Sequence, residues 1–164
     1  MTEPRIYILT GETGEGKTTA LQKWSERVHN IGGVLSVLTD GKRFFLDLTS
    51  KGFFPMEAGS DETNILTVGR FLFSRNSFDK AIEILRNGIG KTNWLLLDEI
   101  GPLELKGEGF HDVIKEMINA NNKEQKILLV VRRSLVDDVI GYFNISRSEL
   151  LIINKASLLE ERFT

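Results

Sequence analysis

The stretch Gly11-Glu12-Thr13-Gly14-Glu15-Gly16-Lys17-Thr18 decides how the rest of the chain is interpreted. Its spacing is that of a phosphate-binding loop: a glycine, four residues, a second glycine, a lysine and then a hydroxyl residue. The glycines permit a tight turn, and successive backbone N–H groups then point into one concavity at a helix N-terminus, where anions are stabilised. The sequence therefore predicts that this loop binds the phosphates of a nucleotide.

The residues on either side of the loop have the pattern that it needs. Ile6-Tyr7-Ile8-Leu9 is entirely apolar and predicts a buried strand. After the loop, apolar residues recur at helical spacing as far as Ile31, and we expect the helix to end at Gly32. Lys17 is expected to reach the β- and γ-phosphates, and the Thr18 hydroxyl to bind Mg²⁺. The residues expected to contact the nucleotide are Gly11, Glu12, Thr13, Gly14, Glu15, Gly16, Lys17, Thr18 and Thr19.

Composition is that of an ordinary soluble globular protein. Of the 164 residues, 41% are hydrophobic and 27% are charged, and we expect a single domain over residues 1–164. The net charge of −2 gives no indication of nucleic-acid binding, and the absence of cysteine excludes disulfides and thiolate chemistry. Apolar runs are too short for a membrane span, and the first strand begins too early for a signal peptide. We therefore expect a cytoplasmic protein without a membrane partner; its oligomeric state is not predicted.

The remaining pattern predicts an α/β sheet with one insertion. Residues 34–49 contain two strand-like segments around Asp40-Gly41, which is typical of a β-hairpin. Further along, Trp94-Leu95-Leu96-Leu97 and the segment from Ile127 to Val131 are apolar on both faces and are separated by helical patterns. Such strands are typical of a mainly parallel sheet that is covered by helices on both faces.

Four polar side chains follow the ends of these strands. They are Lys17, Asp98, Glu99 and Arg132. Ligands of parallel sheets bind at the carboxyl ends of the strands, so we expect the four to converge. Asp98 is the candidate Mg²⁺ ligand beside Thr18, and Glu99 is the candidate for orienting a hydrolytic water. The alternative is that the two carboxylates only cap the following element.

A GTPase interpretation competes with this one. Asp98-Glu99-Ile100-Gly101 also fits the Asp-x-x-Gly motif of GTPases, and Asn154-Lys155 follows a strand as their guanine-reading motif does. Ser157 stands where that motif requires a carboxylate. Strict guanine specificity is therefore not expected.

The segment Asp98-Glu99-Ile100-Gly101-Pro102-Leu103-Glu104-Leu105 resembles the Asp-Glu-Ile-Gly-x-Met-Glu-Leu signature of the thermophile-type nucleoside-triphosphatases, the family of cancer-related nucleoside-triphosphatase. The resemblance runs from Ile6 to about Glu160. Leu103 stands where the family usually has methionine, and the segment from Leu35 to Thr39 does not match the family's Thr-Pro-Glu-Val-Arg-like segment. The resemblance implies a three-layer, RecA-like P-loop NTPase fold and Mg²⁺-dependent hydrolysis of nucleoside triphosphates with loose base preference.

The resemblance also bears on the arginines after the strand that ends at Val131. The family tends to carry an arginine directly after this strand, which favours Arg132 over Arg133 as a catalytic residue beside Lys17 and Glu99. Two alternatives to hydrolysis stay open. One is a small-molecule or nucleotide kinase, although no arginine-rich lid is evident. The other is a nucleotide-dependent switch or accessory module with negligible turnover.

Overall fold

The computed structural model describes residues 3–11, 16–122 and 124–163, and within them one large sheet is surrounded by helices. The strands are β1 (Ile6–Gly11), β2 (Ile31–Thr39), β3 (Lys42–Asp47), β4 (Phe53–Pro55), β5 (Ile65–Val68), β6 (Phe71–Ser74), β7 (Trp94–Ile100), β8 (Lys126–Arg132) and β9 (Leu150–Ile153). The helices are α1 (Lys17–Ser25), α2 (Arg75–Gly88), α3 (His111–Asn119), α4 (Val136–Tyr142) and α5 (Ser157–Phe163).

The strand order of the large sheet is β4-β3-β2-β7-β8-β1-β9. The five strands from β2 to β9 in this order are parallel, and β3 and β4 are added antiparallel at one edge. Because β8 lies between β1 and β7, the strand that enters the phosphate loop is not a direct neighbour of the strand that ends near Asp98. The predicted mainly parallel α/β sheet is confirmed.

Helices cover both faces of the sheet, as predicted. In β1, Ile6 and Ile8 pack on the face that carries α2, α3 and α4, whereas Tyr7 and Leu9 pack on the face that carries α1 and α5. All four side chains are almost completely buried. This burial on alternate faces explains why the central strands are apolar at every position instead of at every second one.

The inserted hairpin is confirmed as well. β2 and β3 pair antiparallel with Thr39 opposite Lys42, and the turn residues Asp40 and Gly41 have φ angles of 52° and 76°. Two-residue hairpin loops favour positive φ at both central positions, which suits an Asp-Gly pair. β2 thus belongs both to the parallel sheet through β7 and to the insertion through β3.

The predicted extent of the first helix is wrong. α1 ends at Ser25, while Ile31 and Gly32 already belong to β2. Gly33 explains the difference: its φ is +106°, and a Cβ there would collide with the backbone of Leu96 on β7. Gly33 therefore serves the close approach of β2 to β7, whereas a Cβ on Gly32 would meet the side chains of Thr49 and Thr92. The helical spacing of the apolar residues before these glycines does not continue as a helix beyond Ser25.

A second, smaller hairpin lies outside the large sheet. β5 and β6 pair antiparallel across a turn at Gly69, which has a φ of 59°. Backbone hydrogen bonds join this hairpin to the segment after β4, from Ala58 N to Leu72 O and from Ser74 N to Met56 O, each 2.8 Å long. The hairpin is therefore fixed beside the insertion, with one side toward the sheet.

Arg5 connects the start of β1 to the end of α3. Its guanidinium donates hydrogen bonds of 3.0–3.2 Å to the carbonyl oxygens of Met117, Ile118, Ala120 and Asn122. The residue is only 6% exposed, and burial lowers the pKa of its guanidinium. These carbonyls lie at a helix C-terminus, where a cation offsets the partial negative charge and satisfies acceptors that lack helical partners.

Candidate active site

The start of α1 meets the end of β7. Gly16, with a φ of 76°, directly precedes α1, so Lys17 and Thr18 occupy its first turn. Thr18 Oγ1 donates a hydrogen bond of 2.8 Å to Asp98 Oδ2, although the two residues are 80 positions apart in the chain. The backbone N–H of Ser36 donates to the same oxygen at 3.2 Å. The two residues that were predicted to bind a metal ion are therefore in direct contact.

Asp98 is a buried carboxylate with a perturbed pKa. It is 2% exposed, and burial raises its pKa from 3.8 to about 6. The hydrogen bond from Thr18 lowers the pKa, the charge of Glu99 raises it, and the Ser36 N–H and the Lys17 ammonium lower it. Desolvation prevails because removing a carboxylate from water disfavours its charged form. A bound cation would reverse this effect.

Glu99 and Arg132 lie together on the open side of this edge. Arg132 Nη2 is 3.9 Å from Glu99 Oε1, and both side chains are a little less than half exposed. Arg132 is the last residue of β8 and is paired in register with Gly11, the last residue of β1. Arg133 begins a short 3₁₀ helix instead. The structure thus brings Arg132, the arginine that the family resemblance favours, to the start of the phosphate loop.

Glu104 was not among the predicted site residues, yet it organises the loop after β7. It is 3% exposed and accepts hydrogen bonds from the backbone N–H of Gly101 at 2.9 Å and of Phe110 at 3.2 Å. Burial raises its pKa from 4.5 to about 7, against the effect of these bonds. Its place in the signature segment drew attention to it, but nothing in the sequence indicates that its side chain turns inward.

Two clefts open beside these residues. One, of about 450 Å³, lies between the first turn of α1 and the start of α5, and Thr19, Ala20 and Ser157 contribute to its lining. The other, of about 190 Å³, has Asp98, Glu99 and Arg132 at one end and a wall of aromatic side chains. We refer to the second as the aromatic cavity.

The remaining predicted site residues are placed as follows. Gly11 is buried at the end of β1, Lys17 is half-buried and Thr19 is exposed. Glu12, Thr13, Gly14 and Glu15 lie outside the described residues. Asn154 and Lys155 are exposed after β9, and Ser157 begins α5.

The oxygen atoms of Thr18 and Asp98 suit a magnesium ion. Mg²⁺ prefers hard oxygen ligands, and in nucleotide sites it is held by one or two protein oxygens together with phosphates and waters. A hydroxyl and a buried carboxylate 2.8 Å apart provide such a pair. The raised pKa of Asp98 adds to the fit, because burial makes the charged carboxylate costly and a bound cation would offset that cost.

Among the described residues, no helix is both long and apolar enough to cross a membrane.

In this chain a phosphate-loop sequence leads from β1 into α1, and the acidic residue Asp98 lies near the end of β7, which is separated from β1 by β8. This combination defines the class of P-loop nucleoside-triphosphatases. Within that class, the model of the NTPase family matches residues 6–161 of this chain. The chain therefore belongs to the NTPase family, as the signature segment predicted.

Relatives that carry the nucleoside-triphosphatase name agree with this assignment. Nucleoside-triphosphatase THEP1 of Thermotoga sp. (strain RQ2) is 26% identical over 161 residues, which cover 94% of this chain and 91% of that protein. Nucleoside-triphosphatase THEP1 of Saccharolobus solfataricus is 31% identical over 136 residues, covering 77% of this chain and 74% of the relative.

Two solved structures share the fold. The crystal structure of THEP1 from Aquifex aeolicus superposes with a TM-score of 0.70 at 18% identity, covering 96% of this chain and 93% of that chain. The solution structure of a human cancer-related nucleoside triphosphatase gives a TM-score of 0.67 at 22% identity, with coverages of 96% and 94%. The predicted three-layer P-loop NTPase fold is confirmed.

Proposed function

We propose that this protein hydrolyses nucleoside 5′-triphosphates to the diphosphate and phosphate, that the reaction requires Mg²⁺ and that the base is read loosely. The observation that carries the proposal is the hydrogen bond between Thr18 and Asp98. It joins the first turn of the helix after the phosphate loop to the strand that ends in two carboxylates. A phosphate-binding group, metal-ligand oxygens and a candidate base are then within one site.

The proposed chemistry assigns one task to each side chain. Glu99, partly exposed beside the site, accepts a proton from the attacking water, whose oxygen forms a bond to the γ-phosphorus. The bond from that phosphorus to the bridging oxygen breaks, and its electron pair remains on the diphosphate. Lys17 binds the β- and γ-phosphates, and Arg132 donates to oxygens of the γ-phosphoryl group, on which charge is concentrated in the transition state.

Thr18 and Asp98 are the residues that would hold the metal ion. When bound, Mg²⁺ neutralises charge on the β- and γ-phosphate oxygens. The protein's own contribution is to hold the two ligand oxygens at a fixed separation of 2.8 Å, and the Ser36 N–H orients the carboxylate further.

Loose base preference is supported by the cleft beside α1 and α5. Small side chains such as Ala20 and Ala156 form part of its lining, and Ser157 lies where a guanine-reading motif would place a carboxylate. The polar side chains of the lining do not match one base edge in particular: Glu160 is paired with Arg27 at 3.4 Å, and Thr19, Lys23 and Ser157 contribute two hydroxyls and one ammonium. We propose that rates for ATP, GTP, CTP and UTP lie within about tenfold, which is about 1.4 kcal/mol of discrimination.

Phosphate release from the four triphosphates, with and without Mg²⁺, tests the proposal. Glu99→Gln should bind a non-hydrolysable triphosphate with unchanged affinity in calorimetry but should lose hydrolysis, because an amide cannot accept the proton. Asp98→Asn should weaken binding and Mg²⁺ dependence together, and Lys17→Ala should lose affinity for the phosphates.

Glu108→Gln is the matched control, since this exposed glutamate lies in the loop after β7, two residues beyond the short 3₁₀ helix Glu104–Lys106. It should hydrolyse at the wild-type rate. Wild-type turnover by Glu99→Gln would show that Glu99 is only a charge at the end of a strand. A preference of about a thousandfold for one base would contradict the loose reading of the base.

A further inference from the structure

The aromatic cavity is larger and more apolar than hydrolysis requires. Asp98, Glu99 and Arg132 line it at the catalytic edge, and Arg43 lies over the ring of Phe71, with its Cζ 5.4 Å from the ring centroid. The rest of the wall is built mainly from aromatic and aliphatic side chains that come from β3, the segment after β4, the β5–β6 hairpin, α2 and the loop before α3. The main contributors are Phe45, Met56, Phe71, Phe73, Phe78 and Phe110.

Neither water nor the triphosphate accounts for this wall. A hydrolytic water needs only the polar end, and the phosphates are anionic and lose solvation without compensation against phenyl rings. A cavity of about 150 Å³ lined by apolar side chains is known to bind benzene in another protein. The volume of about 190 Å³ here therefore suits a single aromatic ring with a short substituent.

The charged groups of the lining specify what that substituent is. Three carboxylates line the cavity, those of Asp98, Glu99 and Glu104, together with the guanidiniums of Arg43 and Arg132. Both oxygens of Glu104 already accept backbone hydrogen bonds, from Gly101 N and Phe110 N, so two carboxylates and two guanidiniums of opposite charge remain for a ligand. An anionic or cationic substituent would meet as many like charges as opposite ones. A neutral hydroxyl can instead donate to a carboxylate and accept from a guanidinium, which uses both kinds of group.

We propose that the aromatic cavity binds a small neutral aromatic alcohol, and that the alcohol replaces water as acceptor of the γ-phosphoryl group. This inference rests on the proposed function, because the bound nucleoside triphosphate is the donor. The alcohol oxygen forms the new bond to the γ-phosphorus, the bond to the bridging oxygen breaks with its electron pair on the diphosphate, and the hydroxyl proton passes to Glu99. The products are a phosphate monoester and a nucleoside diphosphate.

The β5–β6 hairpin provides a way to close the cavity without touching the catalytic residues. Val68 on β5 is half-buried and lines the cavity, so Val68→Phe would place a ring in the space that the alcohol would occupy. Thr67 is its neighbour on the same strand and is exposed on the opposite face. Thr67→Phe adds the same ring to the same hairpin outside the cavity and is the matched control.

The test uses benzyl alcohol and 2-phenylethanol as acceptors, with ethanol as the aliphatic control, and ATP and Mg²⁺ as donor. Formation of the phosphate monoester is followed by ³¹P NMR, and free phosphate is measured in the same samples. We expect a monoester with the aromatic alcohols and not with ethanol at equal concentration. Val68→Phe should lower its yield by about tenfold or more while phosphate release stays within about twofold, and Thr67→Phe should match the wild type.

Saturation-transfer NMR of benzyl alcohol, with a non-hydrolysable triphosphate present, reports binding independently of turnover. Binding that Val68→Phe removes and Thr67→Phe retains supports the proposal. If benzyl alcohol does not bind and no monoester forms, the proposal is overturned. If it binds but no monoester forms, the transfer step is overturned. Phosphate release in the absence of any alcohol is the separate measure of the proposed hydrolysis, so the two proposals fail in different assays.

Discussion

Replacement of Glu104 by glutamine exchanges one carboxylate oxygen for an amide nitrogen and tests how much the hydrogen bonds of Glu104 stabilise the loop after β7. The carboxylate accepts from Gly101 N through Oε1 and from Phe110 N through Oε2. Glutamine has nearly the same shape, but its Nε2 has no acceptor capacity, so the variant loses one of the two bonds. A buried donor without a partner costs about 1–3 kcal/mol. At about pH 4, where the wild-type carboxyl is neutral, we expect Glu104→Gln to be less stable by about 2 kcal/mol.

This difference should change with pH in a defined direction. Burial raises the pKa of Glu104 from 4.5 to about 7, so between these values the folded protein binds this proton and the unfolded chain does not. The stability that the proton contributes is therefore complete below pH 4.5 and is lost as the pH rises through 7. At 1.36 kcal/mol per unit the loss is about 3 kcal/mol. Glutamine does not titrate, so the variant should become the more stable protein by about pH 8.

Urea unfolding of both proteins, followed by circular dichroism from about pH 4 to about pH 8, measures the effect. Asp98 also titrates in this window, with a pKa of about 6, but it is present in both proteins and cancels in the difference. Glu108→Gln, at an exposed position, should follow the wild type throughout. A wild-type advantage that is independent of pH would refute the account of Glu104 as a buried, titrating carboxylate.

Three further variants test other parts of the structure. Arg132→Lys should lose up to about 10³-fold in kcat with little change in nucleotide affinity, since lysine lacks the planar guanidinium fork. Arg133→Ala should turn over nearly normally, and equal kcat values for the two variants would contradict the assignment of Arg132 as the catalytic arginine. Gly33→Ala should lose more than about 3 kcal/mol in urea unfolding because its Cβ collides with the neighbouring strand, and Gly59→Ala, with open space around it, should change stability by less than about 0.5 kcal/mol. Arg5→Met should lower the unfolding free energy by about 3 kcal/mol, as four carbonyl oxygens lose a cationic donor; a loss below about 1 kcal/mol would show that water replaces it.

The parts of the fold that could be predicted depend on short-range patterns. The central strands are apolar on both faces because helices cover both, and this is visible in four consecutive letters such as those from Trp94 to Leu97. The Asp40-Gly41 turn is equally local, because its positive φ angles restrict which residues fit. The proximity of Thr18 to Asp98 and of Glu99 to Arg132 could be predicted from these strands, because the carboxyl ends of parallel strands lie at one edge of the sheet. The roles of these side chains stay predictions.

The parts that could not be predicted depend on contacts between distant segments. Gly32 was expected to end a helix, and only the approach of the next residue, Gly33, to Leu96 shows why a strand needs a glycine there. Nothing in the sequence indicates that Arg5 binds carbonyls more than 110 positions away. The residues around Glu104 have the composition of a surface loop, so the burial of its side chain could not be predicted. The aromatic cavity combines side chains from several elements, and no single segment of the sequence contains its pattern.

The position of β1 in the sheet has a consequence for synthesis on the ribosome. β1 is made before both of its partners, β8 and β9, which begin at Lys126 and Leu150. Contacts between segments so far apart in sequence are slow to form, because a long loop must close first. The strand that leads into the phosphate loop therefore stays without a neighbouring strand until β8 has been translated. Acquisition of nucleotide affinity by the nascent chain is thus a late event, and fragments that end before β8 leave an apolar strand open to chaperones and to aggregation.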